Sequence, residues 1–266
     1  MSAPAPRFTV VTICRNALPA LRRTVESVQS QGYPALEYWI VDGASTDGTR
    51  AYLAGLAERG VHVLSEPDGG ISDAMNKGIR LATGEWIAHL HAGDTYLPGT
   101  LARVARRGAE GAADVICGSV IQRERTGDVL CAAAPERLPI EMAIGHPAVF
   151  CRRSVFERFG EFDTGFRNAM DYDFFLRAWL GGARFVTVPE PLARVDWGGQ
   201  SERSLWRTLH ETHRIRGRRM TSGWSRSYAF LLFLFVKGTV RQGLQRLGFA
   251  RWVSAYRRTF SRPRKG

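Results

Sequence analysis

The chain has 266 residues, of which 44% are hydrophobic and 23% are charged. This balance excludes a disordered or fibrous protein, because it supplies enough apolar side chains for a core. Residues 1–200 carry 21 basic and 23 acidic side chains, whereas residues 201–266 carry 16 basic and 2 acidic ones, so the net charge of +12 arises in the C-terminal quarter. A nearly neutral body with a basic tail indicates an enzyme-like core and an appended surface that meets anions.

The cysteines and the N-terminus restrict the class of protein further. The four cysteines are widely spaced and form neither a CxxC pair nor a zinc-binding spacing, so buried free thiols are predicted. The first residues, MSAPAPRF, contain no basic segment followed by an apolar stretch, so no signal peptide is predicted. A cytoplasmic location is the expectation that follows.

In the first 118 residues, strand-like apolar runs alternate with helical runs about a dozen residues long. The predicted strands are RFTVVTICRN, LEYWIVDG, VHVLSE, GEWIAHL and ADVICGS. The predicted helices are LPALRRTVESVQSQ, STDGTRAYLAGLAERG, ISDAMNKGIRLAT and LPGTLARVARRG. This alternation predicts βαβ units and a mostly parallel sheet.

Beyond about residue 119 the alternation ends. SVIQRERTGDVLCA predicts a hairpin that turns at Thr126-Gly127-Asp128, and GHPAVFCRRSVFERFGEFD predicts a strand followed by a helix. AMDYDFFLRAWLGG predicts a helix with two acids near its start, and ARFVTVPEPLARVDW predicts a closing strand. There is no repeat and no Gly/Ser linker, so these parts are expected to share one fold.

Small and polar residues follow the predicted parallel strands. The strand ends carry Arg15-Asn16, Asp42-Gly43, Glu66-Pro67-Asp68 and His91-Ala92-Gly93-Asp94. Ligands of open α/β sheets bind at the carboxyl ends of the strands, so a ligand is expected at this edge. The sequence contains no GxGxxG after the first strand, no GxxxxGK[ST] and no GxSxG, which disfavours a dehydrogenase, a P-loop enzyme and an α/β-hydrolase.

Six motifs occur in order: TICRNA, IVDGASTDGT, SEPDGGISDAMNKGI, GEWIAHLHAGDTYLP, GHPAVFCRRSVFERFGEFD and AMDYDFFLR. With these motifs the chain resembles the family-2 inverting glycosyltransferases of GT-A fold, and within them the bacterial polysaccharide and glycolipid branch with its EPDxGIxDAMNKG signature. The resemblance covers residues 7–197. It implies an α/β fold with a nucleotide-binding half, 1–118, an acceptor-side half, 119–200, and then a basic helical tail, 201–266.

The resemblance implies transfer of a sugar from a nucleotide-diphosphate donor to a hydroxyl of a glycan or lipid-linked acceptor. UDP is the carrier that it favours, with dTDP and GDP left open. Such a reaction needs the base and ribose held, the diphosphate charge offset and the acceptor hydroxyl deprotonated. An inactive homologue that only binds nucleotide-sugars, and a nucleic-acid-binding protein acting through the basic tail, are the competing hypotheses.

The nucleotide-sugar is expected to contact five residues. They are Asn16, Asp42, Asp68, Asp73 and His146. Many family members have two consecutive acids where this chain has Asp42-Gly43, so the resemblance leaves the exact nucleoside contact there open. The alternatives are that Asp42 caps the next helix, that Asp73 is a first-turn helix acid, and that His146 is a buried hydrogen-bonded residue.

The HAGD stretch stands where the resemblance places a metal motif. Asp94 aligns with the acid expected to hold Mn²⁺ or Mg²⁺, which would bridge the diphosphate oxygens. His91 replaces a usual Asn and could ligate the ion, bond a phosphate or simply fill the edge. His89 is expected to share the face of His91 and to be a packing residue.

Two acids open the helix MDYDFFLRAWL. The resemblance makes Asp171 the general base that takes the proton of the acceptor hydroxyl, so transfer proceeds in one step with inversion. Asp173 points about 200° away from Asp171 around a helix, so both cannot easily reach one substrate. The alternative is that both are ordinary N-terminal helix acids.

The tail combines arginines with aromatic residues. SYAFLLFLFVKG is too short to cross a bilayer, which needs about 20 apolar residues. Arginines interleaved with Trp, Phe, Tyr and Leu are typical of an interfacial helix on anionic lipid. A peripheral position on the inner face of the cell membrane is therefore expected, with no nucleic-acid partner. The alternative is a core helix or a dimer contact.

Overall fold

A computed structural model of the chain describes residues 5–124, 127–196 and 204–220, together with Leu232 and Val236. The strands are β1 Phe8–Cys14, β2 Leu36–Asp42, β3 His62–Ser65, β4 Trp86–His89, β5 Thr95–Tyr96, β6 Val115–Glu124, β7 Gly127–Cys131, β8 Val149–Arg152 and β9 Phe185–Asp196. The helices are α1 Leu18–Gln29, α2 Thr49–Ala57, α3 Ile71–Leu81, α4 Thr100–Ala109, α5 Arg153–Phe159, α6 Met170–Leu180 and α7 Leu205–Arg219.

One mixed sheet organises the described residues. Its strand order is β3-β2-β1-β4-β8-β6-β9-β5, and β7 pairs with β6 outside this path. β1 is parallel to both β2 and β4, and β2 is parallel to β3. β8 runs antiparallel to β4 and β6. The predicted parallel arrangement therefore holds for the first four strands, whose carboxyl ends meet at one edge.

Apolar side chains on both faces of the sheet explain why β1 is a continuous hydrophobic run. Val11 and Ile13 belong to the core on one face, where α3 and α6 pack. Phe8 and Val10 belong to the core on the other face, where α1 and α4 pack. A strand covered on both faces needs no polar alternation.

The second half adds α5, α6 and α7 to the side of the sheet that carries α3. Phe174 of α6 stacks on Phe156 of α5 with ring centroids 4.7 Å apart, and it also contacts Phe162. Ile215 of α7 is fully buried in the same core. The helix α7 therefore packs against the preceding domain, although it lies in the basic segment.

The predicted hairpin is formed by β6 and β7, which pair in antiparallel register from Val120↔Cys131 to Glu124↔Gly127. Gly127 and Asp128, which were predicted in the turn, instead pair with Glu124 and Arg123 within the ladder, and Thr126 lies outside the described residues. Apart from Leu232 and Val236, the apolar run of the tail and the basic segments after it fall outside the described residues. None of the described helices has the length and apolar content that crossing a membrane requires.

Candidate active site

A pocket of about 530 Å³ opens at the carboxyl edge of the parallel strands. Its walls come from the ends of β1 and β4, the start of α3 and the turn that precedes α6. The lining residues are Ile13, Cys14, Arg15, Ala17, Asp68, Gly69, Gly70, Ile71, Ser72, Asp73, Ala74, His91, Ala92, Asp94, Thr164, Phe166 and Arg167. Four of the predicted site residues, Asp68, Asp73, His91 and Asp94, thus meet in one cavity.

The 91–94 turn is held from α1. The hydroxyl of Thr24 accepts a hydrogen bond from the Gly93 amide at 2.9 Å and donates one to the Asp94 carbonyl at 2.7 Å. Gly93 has φ +112°, a conformation that favours glycine. These contacts fix the backbone of the turn and leave the Asp94 carboxylate at the pocket wall.

The Asp94 carboxylate has the properties of a cation ligand. Burial, followed by the nearby charge of Asp196, raises its pKa to about 7. In the part of the chain that the structure describes, no donor forms a hydrogen bond or ion pair with this carboxylate. A hard divalent cation with oxygen ligands fits such a group. No cluster of three or more His, Cys, Asp or Glu suited to a metal occurs among the described residues, so phosphate oxygens would have to complete the coordination.

Three histidines form a cluster behind the turn. The His146 ring lies 5.7 Å from His89 and 5.3 Å from His91, centroid to centroid. His89 donates to the Met75 carbonyl at 3.3 Å, and His91 Nε2 lies 3.2 Å from Met75 Sδ. Burial lowers the pKa of His89 to about 3, that of His91 to about 4, and that of His146 as well. All three are neutral at physiological pH, the state in which imidazole binds a metal.

Asp42 lies beneath the pocket rather than in its wall. Its side chain is fully buried and accepts hydrogen bonds from the Ser45 amide at 3.0 Å, the Ser45 hydroxyl, and the Ser65 hydroxyl at 2.7 Å. The Cys14 thiol also donates to it at 3.6 Å. These partners connect the ends of β1, β2 and β3, so the visible contacts of Asp42 shape the pocket floor.

Asp68 takes the space above Gly43. A Cβ built at Gly43 would overlap Asp68 Oδ2 and would lie 3.3 Å from Arg15 Cδ. The missing side chain at Gly43 therefore lets the Asp68 carboxylate enter the pocket wall, where a second consecutive acid would otherwise stand. Asp68 also accepts a hydrogen bond from the Gly70 amide at 2.9 Å, which orders the loop.

Asp73 and Lys77 organise the loop before α3. Asp73 lines the pocket and accepts a hydrogen bond from the Gly69 amide at 2.9 Å. Lys77 donates to the Pro67 carbonyl and pairs with Glu66, each at 2.7 Å, and lies 3.6 Å from Asp73. Asp73 is thus both a first-turn helix acid and a pocket residue, whereas Lys77 is engaged in holding the loop.

Asn16 joins the first two strand ends. It has φ +49°, its amide donates to Ser45 Oγ at 2.7 Å, and its Oδ1 accepts from the Thr46 amide at 2.7 Å. Its neighbours Arg15 and Ala17 line the pocket, whereas Asn16 and His146 are not among the lining residues. Both stand beside the cavity at positions where they hold its walls.

Asp171 is the second residue of α6, four residues after the pocket-lining Arg167, and it is not itself among the lining residues. Its Oδ1 accepts a hydrogen bond from the Tyr172 amide at 2.8 Å. Burial, and more weakly the charge of Glu211, raise its pKa to about 6. A carboxylate that titrates near neutrality suits a general base.

Asp173 faces the opposite way, as the helix geometry predicts. It has no exposed surface and pairs with Arg219 at 3.0 Å and Arg177 at 3.6 Å. Because both oxygens face arginines inside the fold, Asp173 is a structural acid. The two carboxylates two residues apart thus have separate roles.

Two arginines at the pocket were not singled out from the sequence. Arg15 and Arg167 line the cavity and are exposed, and neither guanidinium forms an ion pair or hydrogen bond with any residue the structure describes. Arg15 stands in TICRNA and Arg167 three residues before the predicted helix MDYDFFLRAWL, so their positions beside other candidates could have indicated them. They are the cations of the pocket wall available to an anionic ligand.

Comparison with known proteins identifies related chains. Residues 9–130 match the model of the protein family described as Glycosyl transferase family 2. An uncharacterised glycosyltransferase of Mycobacterium tuberculosis is 31% identical over 246 residues, which cover 86% of this chain and 94% of that protein. A PGL/p-HBAD biosynthesis glycosyltransferase of Mycobacterium bovis is 34% identical over 185 residues, which cover 67% of this chain and 72% of that protein.

Solved structures share the fold at lower sequence identity. TarS of S. aureus, in complex with UDP, superposes with a TM-score of 0.64 at 18% identity, covering 85% of this chain and 69% of that one. A mannosyltransferase of Pyrobaculum calidifontis, in complex with GDP-Man and Mn²⁺, superposes with a TM-score of 0.67 at 21% identity, covering 96% and 76%. The α/β prediction of a GT-A-type fold is confirmed by these superpositions.

Proposed function

The chain belongs to glycosyltransferase family 2, and from that premise we propose that it is an inverting transferase that uses a nucleotide-diphosphate-sugar. The observation that carries the proposal is the convergence of Asp68, Asp73, His91 and Asp94 on one pocket at the strand ends, with Asp171 on the helix that follows its rim. A pocket with several carboxylates and two available arginines suits a diphosphate accompanied by a cation.

The part of the pocket around Asp68 is assigned to the nucleoside diphosphate of the donor. Asp68, whose carboxylate occupies the space over Gly43, would accept hydrogen bonds from the ribose or base, while Asp42 and Asn16 support the wall from behind. Asp73 and His146 border the sugar and diphosphate region. Structural neighbours in complex with UDP, UDP-GlcNAc and GDP-Man make a nucleotide-sugar the expected ligand class, with UDP proposed as carrier.

Mn²⁺ or Mg²⁺ is the proposed cofactor. Asp94 would hold the ion through its carboxylate, to which none of the described residues donates, and His91 would be a neutral nitrogen ligand or a phosphate contact. When bound, such an ion offsets the charge of the diphosphate and thereby improves the leaving group. The neighbour with Mn²⁺ supports this assignment.

Asp171 is the proposed general base. Its carboxylate accepts the proton of the acceptor hydroxyl while that oxygen forms a bond to the anomeric carbon. The bond from this carbon to the diphosphate oxygen breaks, and its electron pair leaves with the nucleoside diphosphate. Attack from the face opposite to the leaving group inverts the anomeric configuration in one step.

The acceptor is proposed to be a hydroxyl of a glycan or of a lipid-linked glycan at the inner face of the cell membrane. The exposed face of α7 presents Trp206, which is 71% exposed, with Arg207 and Arg214. An aromatic side chain among cations suits an anionic lipid surface. Nucleic-acid binding explains the basic segment but not the acidic pocket, so it is not proposed.

Turnover of UDP-, dTDP- and GDP-sugars with Mn²⁺ tests the proposal, with the product anomer read by NMR. Wild type is expected to release sugar of inverted configuration, and Asp171→Asn is expected to lose turnover while it keeps nucleotide binding. Nucleotide binding without any turnover in wild type would favour an inactive homologue. Absence of all nucleotide binding would contradict the proposal.

A further inference from the structure

The start of α6 is held by the side-chain carboxylate of Glu211, which lies on α7, 42 residues after Ala169 in the sequence. Glu211 of α7 accepts hydrogen bonds from the amides of Asn168 at 2.8 Å and Ala169 at 3.0 Å. The amide of Arg167 donates to both of its oxygens, at 3.1 and 3.2 Å. Three consecutive backbone N–H groups thus converge on one side chain, which is only 6% exposed.

We propose that Glu211 is a positioning residue for sugar transfer, because it fixes the turn that carries Arg167 at the pocket and Asp171 at the first turn of α6. The inference rests on the proposed function in taking Asp171 as the base. Glu211 is only 6% exposed and both of its oxygens accept backbone amides of residues 167–169, so it acts through the turn rather than on the substrate.

The local sequence does not hold this turn by itself. The N-cap residue of α6 is Ala169, whose side chain cannot accept a hydrogen bond, and no side chain caps the helix locally. The first N–H groups of a helix need partners, and a negative charge at this end is favoured by the helix dipole. Glu211 supplies both from a position 42 residues away along the chain from Ala169.

Further contacts on either side of Glu211 hold α7 in place against α6 and the residues just before it. The guanidinium of Arg219, two turns further along α7, donates to both oxygens of Asp173 at 3.0 and 3.3 Å. At the other end, Asn168 Nδ2 donates to Thr208 Oγ1 at 3.2 Å. Since α7 is attached to α6 on both sides of Glu211, its carboxylate can hold the turn in one position.

The sequence contains an indication of this role, an isolated acidic residue in a basic segment, which can be interpreted only once the fold is known. Glu211 is the one acidic residue in the segment 203–266, which is otherwise rich in arginine. A buried carboxylate is unfavourable unless hydrogen bonds compensate it, and here three backbone groups do so. The helix α7 is therefore a component of the acceptor side of the site, beyond its place in the basic segment.

The test compares Glu211→Gln with Glu37→Gln as a matched control. Glu37 is also a buried carboxylate, 7% exposed, and accepts the Thr83 amide at 2.8 Å, but it lies near the amino ends of β1 and β2, away from the pocket. Both variants are measured for melting temperature, nucleotide affinity by calorimetry, and kcat and KM with the sugar donor that turns over. Hydrogen exchange of the amides at 167–169 reports on the turn without any need for turnover.

For Glu211→Gln we expect a kcat lower by about 10- to 100-fold, the cost of a small misplacement of a catalytic group. Nucleotide affinity should change less than about threefold, and exchange at 167–169 should be about tenfold faster, since the charge-assisted acceptor is lost. Glu211→Asp should recover part of kcat. Glu37→Gln should keep the wild-type kcat even if it lowers the melting temperature as much as Glu211→Gln does.

Unchanged kcat in Glu211→Gln, a loss no larger than that of Glu37→Gln at matched stability, or unchanged exchange at 167–169 would each overturn the inference. Failure of the proposed function has a different signature. In that case Asp171→Asn would keep full turnover, whatever Glu211→Gln does.

Discussion

The Asp171 carboxyl, whose pKa is raised to about 6, predicts an acid limb in the rate of transfer. The base must be deprotonated, so at saturating Mn²⁺, which would keep Asp94 ionised, kcat/KM should increase with pH up to about 6 and level off above it. A pH–rate profile of wild type measures this limb. A flat profile between pH 5 and 8 would contradict the assignment of Asp171.

The same pKa shift has a consequence for stability that separates loss of activity from loss of fold. Because the folded state raises the pKa of Asp171, its ionisation disfavours folding as the pH rises from about 4 to about 6. Asp171→Asn should therefore be at least as stable as wild type at pH 8, with the difference vanishing below pH 4. Thermal unfolding at both pH values checks this expectation.

Gly43 tests the placement of Asp68. An alanine Cβ at this position would overlap the Asp68 carboxylate, so Gly43→Ala should displace it and weaken nucleoside diphosphate binding by about tenfold, a loss of roughly 1.4 kcal/mol. Gly55→Ala on α2 is the control, because a Cβ there meets nothing within 4 Å. Calorimetry with equal affinities for Gly43→Ala and wild type would remove Asp68 from the nucleotide site.

The sequence predicted which acidic residues line the pocket better than it predicted the contacts that their side chains make. Asp68, His91 and Asp94 line the pocket as their strand-end positions suggested, since parallel strands finish at one edge, and Asp73 lines it from the first turn of α3. The burial of Asp42 beneath two serine hydroxyls could not be predicted, because those contacts depend on how three strand ends pack together. Arg15 was placed at a strand end and Arg167 lies three residues before α6, but neither was assigned a role from the sequence.

Among the secondary-structure elements, the pairing of α6 with α7 predicts a stability effect that is separate from chemistry. Asp173→Asn leaves Arg219 and Arg177 without their buried acid, and should lower the free energy of unfolding by roughly 2 kcal/mol. Glu157→Gln, which removes an exposed 3.8 Å pair with Arg153, should change it by less than about 0.5 kcal/mol. Urea unfolding compares them, and equal effects would contradict a structural role for Asp173.

The order of strands and helices in residues 7–118 could be predicted from the sequence because apolar runs and amphipathic helices alternate there. The predicted hairpin and the closing strand were also found. The packing of α7 on α6 was not predicted. This packing depends on the buried contacts of Glu211 and Ile215, whose partners include residues some 40 positions away in the sequence. The periodicity of one helix carries no information about partners so distant.

For the molecule as a whole, the charge distribution predicts a salt-dependent surface interaction. The full chain should bind vesicles containing phosphatidylglycerol at low salt, release them at about 0.5 M salt because screening shortens the range of charge attraction, and ignore neutral vesicles. Vesicle co-sedimentation measures this. Replacing Arg207 and Arg214 on the exposed face of α7 by Glu should weaken binding. Binding to duplex DNA in preference to anionic vesicles would contradict the membrane proposal.

The family and fold followed from six motifs in order, and the comparisons confirmed both. The identity of the sugar and of the acceptor did not follow, because no motif fixes the residue types between residues 119 and 200, where specificity is expected to lie. The domain division at residue 200 remains a prediction.

The most direct test is calorimetric titration of UDP, dTDP and GDP, each with and without Mn²⁺, into wild type and Asp94→Ala. We expect one nucleotide to bind wild type at least tenfold more tightly with Mn²⁺, and Asp94→Ala to lose this metal effect while keeping its metal-free affinity. Equal binding with and without Mn²⁺, unaffected by Asp94→Ala, would contradict a metal-assisted diphosphate site at the 91–94 turn. No binding of any nucleotide would contradict the proposed donor class itself.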